Sequence, residues 1–256
     1  MKNTILVNKK AIILLLLSLP FTGMRSLAQH TVSKADDQSY SLVLTPKLHS
    51  AGHFPYSGSY INRNLNAELG LSYEGSMIGG FISKNIDLVD AHSSLNYATV
   101  GLFKSINLNR SIVLTPYLGY FFGQANSLMD TGSDSWAAVV VKFTVNKWFL
   151  IENTSLVSNL LQHAAGTSLA NRLNVRVTIK GFRFDSFTWY SHVFKQEPHF
   201  VSGGFSITTP DWKINDNISV KTQVAMLQQL SLEKPASAKK RGLVVSLIVP
   251  IELKKR

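Results

Sequence analysis

Two segments carry the residue types of a hydrolytic site. His92 stands beside Ser93 and Ser94 with Asp90 nearby, and His163 lies between Ser158 and Ser168. A serine nucleophile, a histidine base and an orienting polar group could attack an ester from either place. The spacing in neither segment is diagnostic, and such residues are common in polar loops, so no residue is assigned as catalytic. His49 and His53 are four apart, which would bring them together on a helix but not on a strand or loop. The run Asp130 to Asp134 has two carboxylates, fewer than a calcium loop needs. These patterns lead us to expect no metal site and no cofactor. The chain has no cysteine, which excludes a disulfide framework, a thiolate metal site and a lipid-anchored cysteine.

The other source of chemistry is charge. The formal charge of +11 includes four cations near the start, Lys2, Lys9, Lys10 and Arg25. There the lysines precede the apolar run Ala11 to Leu19, and Ser26-Leu27-Ala28 sets small residues two apart, the pattern of a signal peptide cleaved after about Ala28. Pro20, Thr22 and Arg25 interrupt the run before the roughly 18 apolar residues that a retained anchor would need. Removing residues 1–28 takes the charge to +7, because no carboxylate lies among them. What remains is scattered apart from Lys239-Lys240-Arg241 and Lys254-Lys255-Arg256, and an exported chain of this kind is not expected to bind nucleic acid.

The charges have to be positioned by strands. Beyond Tyr40 the hydropathy period is mostly two, and no later stretch is apolar for long enough to form a membrane-spanning helix. The clearest case places Leu173, Val175, Val177 and Ile179 on one face and Arg172, Asn174, Arg176, Thr178 and Lys180 on the other. Leu65, Ala67, Leu69 and Leu71 likewise alternate with Asn64, Asn66, Glu68 and Gly70. With turn signals as boundaries, the chain reads as strands at 40–49, 61–73, 76–84, 93–106, 111–123, 134–145, 148–159, 170–180, 183–194, 200–209, 217–229 and 240–253. Most are longer than the five or six residues usual in globular sheets, and close to the roughly 9–11 that cross a bilayer at a tilt. Pro46, Pro116 and Pro250 fall inside these strands, and a change of face between Asp185 and Ser186 suggests a bulge there.

Connection lengths alternate too. Tight turns are expected at Glu74-Gly75, Asn107 to Arg110, Asn146-Lys147 and Gly181-Phe182, with a somewhat longer one at Pro210 to Asp216. The intervening connections, 50–60, 85–92, 124–133, 160–169, 195–199 and 230–239, are polar loops. Aromatics should gather at the two membrane interfaces, with Tyr73, Trp148 and Trp212 at the short-turn rim and Tyr120, Trp136, Trp189 and Tyr190 towards the long-loop rim.

In strand length, loop rhythm and aromatic placement the chain resembles the broad class of bacterial outer-membrane β-barrels over nearly all of its mature length. The resemblance implies an all-β fold, a closed antiparallel transmembrane barrel of about 12 strands. It divides the chain into a signal peptide (1–28), an N-terminal lead (29–39) and the barrel (40–256), placed in the bacterial outer membrane. Its partners would then be outer-membrane lipid and small solutes; the sequence is silent on oligomeric state. Inward candidates are Asn64, Asn66, Glu68, Lys142, Arg172, Asn174, Arg176, Lys180, Arg183, Lys221 and Gln223, in which cations outnumber carboxylates. Twelve strands lie between the eight or so that side chains can fill and the 16–18 of wide channels. The expected function is therefore a narrow passive channel for small anionic solutes, or a structural barrel with a plugged interior. Two alternatives are a lipid-modifying hydrolase with a Ser/His site at the extracellular rim, and an adhesive barrel that binds a partner through its long loops.

Overall fold

A computed structural model describes residues 40–54, 56–124, 132–161, 167–193, 199–231 and 240–253. The expected signal peptide and lead fall outside the described residues, as does His163.

The long alternating segments pair into one closed antiparallel wall. Its twelve strands are β1 (Ser41–His49), β4 (Asn66–Glu74), β5 (Gly79–Asp87), β6 (Tyr97–Phe103), β8 (Ile112–Phe122), β9 (Asp134–Asn146), β10 (Phe149–Ser158), β11 (Ser168–Ile179), β12 (Phe182–Val193), β13 (His199–Thr208), β15 (Ser219–Gln229) and β16 (Arg241–Ile248). Three short pieces continue a wall strand beyond a break: β7 (Ile106–Asn107), β14 (Trp212–Lys213) and β17 (Ile251–Glu252). The wall closes where β1 pairs with β16 and β17. Closure satisfies every wall strand on both sides, which a sheet surrounded by lipid requires. The outward face is apolar: Leu69, Ile82, Leu118, Met226 and Leu243 are all between 48% and 60% exposed.

Of the three prolines expected to mark bulges or strand boundaries, only Pro250 lies at a break; Pro46 and Pro116 sit within unbroken strands and the irregularity falls on a neighbour. Pro46 turns its carbonyl to Val249 N–H, and Pro250 lies in the gap between β16 and β17, so both prolines share one irregular seam. Pro116 instead lies within an unbroken β8, and the interruption is in its neighbour, between β6 and β7, where Lys104 N–H reaches the Pro116 carbonyl. A proline has no N–H to give, so the adjacent strand loses the bond and yields.

The bulge expected at Asp185 and Ser186 is absent: β11 and β12 pair without a register shift from Ile179–Phe182 to Ser168–Val193. Phe182 and Phe184 face outward while Phe187 and Trp189 face inward, so aromatics occupy both faces of a regular strand.

The short turns are tight for identifiable reasons. Asn109, Asn146 and Asn215 each accept two following backbone N–H groups on the side-chain oxygen, at 2.8–3.0 Å. Between β11 and β12 the turn residues are Lys180 and Gly181, one position before the expected pair. Both have positive φ, 50° and 82°, as a two-residue hairpin requires.

The largest departure from the sequence reading is the first connection. The segment read as a loop at 50–60, together with the start of the strand read at 61–73, folds into the barrel. There β2 (Gly52–Phe54) and β3 (Ser59–Asn62) form a small antiparallel hairpin separate from the wall. Ala51, Phe54, Tyr60 and Ile61 are at most 8% exposed, apolar enough to prefer a packed interior to a solvated loop. The third wall strand is also displaced, to Gly79–Asp87 from 76–84. Its last residues stay extended because Asn85 donates to Asn66 and Asp87 accepts from Asn62 and Asn64.

Candidate functional site

The barrel interior has two unlike halves. Towards the long loops it is filled by the inner hairpin, which crosses the lumen and reaches most of the wall. Phe54 stacks near Tyr97, with ring centroids 5.5 Å apart, and joins Ile61, Leu95 and Phe121. Tyr60 and Ala51 pack with Phe187, Ala225, Leu227 and Val244. Tyr56 meets the edge of Trp189, which is 1% exposed and lies among Ala138, Leu156, Ala170 and Phe200. Gly58, at φ 67°, lies where a Cβ would strike the Phe187 ring, and the Ser202 hydroxyl donates to the adjacent Ser57 carbonyl. Glycine suits this point because the backbone is left-handed and the ring is close.

The hairpin base is tied to the wall by polar groups. His53 folds back so that its ring lies 4.8 Å from that of His49, edge to face. The expectation that these histidines stay apart is therefore overturned, since a chain reversal can do what neither a strand nor an open loop would. His49 Nδ1 shares a hydrogen with Ser246 Oγ at 2.7 Å, and its Nε2 lies 3.6 Å from Glu68. Burial, with His49 beside it, holds the His53 imidazole down to about 4. Among the described residues no three ligand-type side chains gather to hold a metal ion.

Below the hairpin, towards the short turns, the lumen is polar and charged. A cavity of about 610 Å³ opens here, reached by Lys47, Glu68, Arg172, Arg176, Arg183, Asp185 and Gln223. Lys142, Glu152 and Lys221 share the same inward register. Each carboxylate is held against the wall by cations. Asp185 takes Arg176 Nε at 2.7 Å and Arg183 Nε at 2.8 Å. Glu68 takes Lys47 Nζ at 2.7 Å, and Glu152 lies 3.8 Å from both Lys142 and Arg172. Lys221 reaches Asp211, at the short-turn rim, at 3.0 Å.

The two signs are not equally available to a solute. The side chains of Asp185, Glu68 and Glu152 are 8–14% exposed, whereas those of Lys47, Lys142, Arg176 and Arg183 are 28–42% exposed; only at the rim, where Asp211 is 54% and Lys221 24% exposed, is the order among these pairs reversed. Arg172 is the exception at 15%, its guanidinium held over the rings of Phe187 and Tyr56 at 4.5 and 5.3 Å. The surface that lumen water meets is thus more positive than the residue count alone suggests. Opposite the arginines, Phe81, Phe103, Tyr117 and Trp136 form an aromatic wall on β5, β6, β8 and β9, with centroid spacings of 5.2–6.5 Å.

Of the inward candidates, Asn66 and Asn174 are buried in the wall network, 1% and 2% exposed. Asn64 lies in the connection before β4 and donates to Asp87, and Lys180 is carried off the strand into the exposed turn, so neither lines the lumen. Tyr73, Trp148 and Trp212 are exposed, at 41%, 51% and 60%, by the short-turn rim. Tyr120, whose ring lies 4.7 Å from Phe122, and Tyr190 face outward towards the long loops. Trp136 and Trp189 do not join that outer girdle: they take the inward register and pack inside the barrel. Sequence reading missed Lys47, Asp185 and the whole aromatic wall. The alternation of Lys47 with Leu48, and of Asp185 with Phe184, was the available signal.

Of the two hydrolytic candidates, the one around His92 does not assemble. His92 is exposed, its backbone N–H capping Asp90 at 2.9 Å, and the Ser93 hydroxyl accepts Leu95 N–H from its own loop.

No protein-family model matches the chain, and no curated protein matches it in sequence. Solved structures do match it in fold. The "KdgM porin" aligns with a TM-score of 0.54 at 10% identity, covering 84% of this chain and 99% of that one. A "KdgM porin in complex with disordered oligogalacturonate" aligns with the same TM-score and coverage at 9% identity. The "NanC porin" in a rhombohedral crystal form gives 0.56 at 12% identity, covering 83% and 100%. At such identities the likeness is one of fold: a closed outer-membrane-type barrel of the same extent.

Proposed function

We propose that this protein is a passive outer-membrane channel for small anionic solutes. The observation that carries the reading is the unequal exposure of the two signs in the ion pairs of Glu68, Glu152 and Asp185, whose carboxylates are pressed into the wall while the lysine and arginine tips are left in the lumen. Fixed positive charge along a water-filled bore lowers the barrier for an anion without stripping its hydration. The aromatic wall facing the arginines favours an anion that also has a flat, weakly polar face, since such a face gains contact with rings while its charge meets guanidinium. One fold neighbour was solved with oligogalacturonate, a solute of that general kind.

The hairpin sets the size limit. It packs across the long-loop half and leaves the charged cavity below it, so passage is restricted to solutes that thread beside it. The signal-peptide pattern at 1–28 fits the same reading, by delivering the chain beyond the inner membrane.

The test is single-channel conductance of the refolded protein in planar bilayers, with ion preference read from the reversal potential. Anion-preferring steps are expected, and replacing Arg176 and Arg183 singly with Gln should move each reversal potential towards the cation side. At 4 Å in a water-like dielectric one unit charge contributes about 1 kcal/mol, a roughly fivefold change in local anion occupancy. Protein that inserts but passes no current, or steps whose preference ignores both arginines, would overturn the proposal.

A further inference from the structure

The outer wall is not uniformly apolar. Most of its strands offer the membrane large apolar side chains, such as Leu69 on β4, Ile82 on β5, Leu118 on β8 and Val245 on β16. Among the described residues, β10 is the one wall strand on which no large apolar side chain is exposed. Its central outward positions are Asn153 and Ser155, and Asn171 lies beside them on β11. The two carboxamides exchange hydrogen bonds at 3.1 and 3.2 Å, and Asn171 also donates to Ser155 Oγ at 3.1 Å. Asn153 is the fifth residue of the ten in β10, at the middle of the wall rather than at a rim. On β12 the outward Ser186 and Thr188, opposite Val175 and Leu173, are polar and exposed as well.

Amides and hydroxyls at mid-depth on a lipid-facing wall are costly, because acyl chains return no hydrogen bond. The internal pairing satisfies only part of their capacity: each carboxamide oxygen can accept twice and each NH₂ can donate twice. Lipid cannot supply the remainder, but a second copy can. Amide and hydroxyl groups are donor and acceptor at once, so the stripe is complementary to itself. Two barrels inserted with the same orientation are related by a twofold axis along the membrane normal, which brings one patch onto its own image. The outward positions of β9 to β12 carry no charge to oppose this, whereas on β5 the outward Lys84 would repel its counterpart. We propose that the stripe around Asn153, Ser155 and Asn171 is a self-association surface through which two copies of this barrel pair side by side in the membrane.

The cysteine-free chain makes the test clean. Ser155→Cys introduces a single thiol in the stripe, and Val245→Cys places one on the distant face at β16. Reconstituted in vesicles at low protein-to-lipid ratio and mildly oxidised, S155C is expected to give a disulfide-linked dimer while V245C stays monomeric. Adding N153L and N171L to S155C should abolish the cross-link; these leucines face lipid, where they are at home, and retained conductance or resistance to protease confirms the fold. The proposal is overturned if S155C cross-links no more than V245C, or if the folded leucine variant cross-links undiminished. A channel that conducts as a monomer would leave the proposed function standing while this inference fails.

Discussion

The two halves of the barrel interior are built from the same strands yet obey different rules. Towards the long loops, inward side chains pack on one another: Phe54, Tyr60, Trp189, Leu227 and Val244 are at most 7% exposed, and the inner hairpin supplies what the wall cannot reach. Towards the short turns, inward positions meet water, and charge takes the place of packing. A twelve-stranded wall is too wide for its own side chains to fill. It stays open towards the short turns, and is narrowed towards the long loops by borrowing a segment of chain. Packing and charge are thus assigned to different depths of one tube.

That division makes its largest prediction in the packed half. Trp189→Ala removes a fully buried indole from between Tyr56, Leu156 and Phe200, so the loss in unfolding free energy should be about 3–5 kcal/mol. Urea unfolding in lipid vesicles measures it. Because the hairpin rests on this side chain, conductance should rise and become noisier, with the ion preference little changed. A stable, quiet W189A channel would mean that the hairpin does not depend on this wall.

Asp185→Asn tests whether the charged half is free of structural duty. The carboxylate is 8% exposed and receives both Arg176 and Arg183, so its loss leaves two cations close together with no counter-charge. Breaking a buried pair typically costs about 3 kcal/mol or more, although these arginines are about one-third exposed and water recovers part of it. The expected outcome is a smaller loss than for W189A, accompanied by a stronger anion preference. Stability and selectivity then move in opposite directions, which no substitution in the packed half should produce.

The wall was largely legible in the sequence, and the interior only partly so. Alternation in 170–180 or 134–145 defines a face, the turn residues define its ends, and pairing between neighbours follows from closure. The inner hairpin was hidden because its signal is two-dimensional. Phe54, Tyr60 and Ile61 read locally as an ordinary mixed loop and the start of a strand, and only the width of the finished barrel gives them somewhere to pack. The same cause misled the reading of Trp136 and Trp189. An aromatic near a strand end suits a membrane interface by default, and it turns inward only when something inside receives it. His49 and His53 repeat the lesson, since spacing along the chain says little once the chain reverses.

The smallest predicted effect is the most discriminating. Lys142 is 42% exposed and lies 3.8 Å from Glu152, the most solvated of the cations paired in the lumen, and it contributes little to holding the wall together. Lys142→Gln should change unfolding free energy by less than about 1 kcal/mol, the range for exposed pairs. It nonetheless removes an inward cation that reaches the lumen, so the reversal potential should shift towards the cation side with folding untouched. The shift should be larger at low ionic strength, because screening at about 0.1 M confines a charge to roughly 10 Å. If K142Q altered stability and left selectivity alone, the two depths of the lumen would not differ in role, and the contrast between packing and charge would describe composition rather than function.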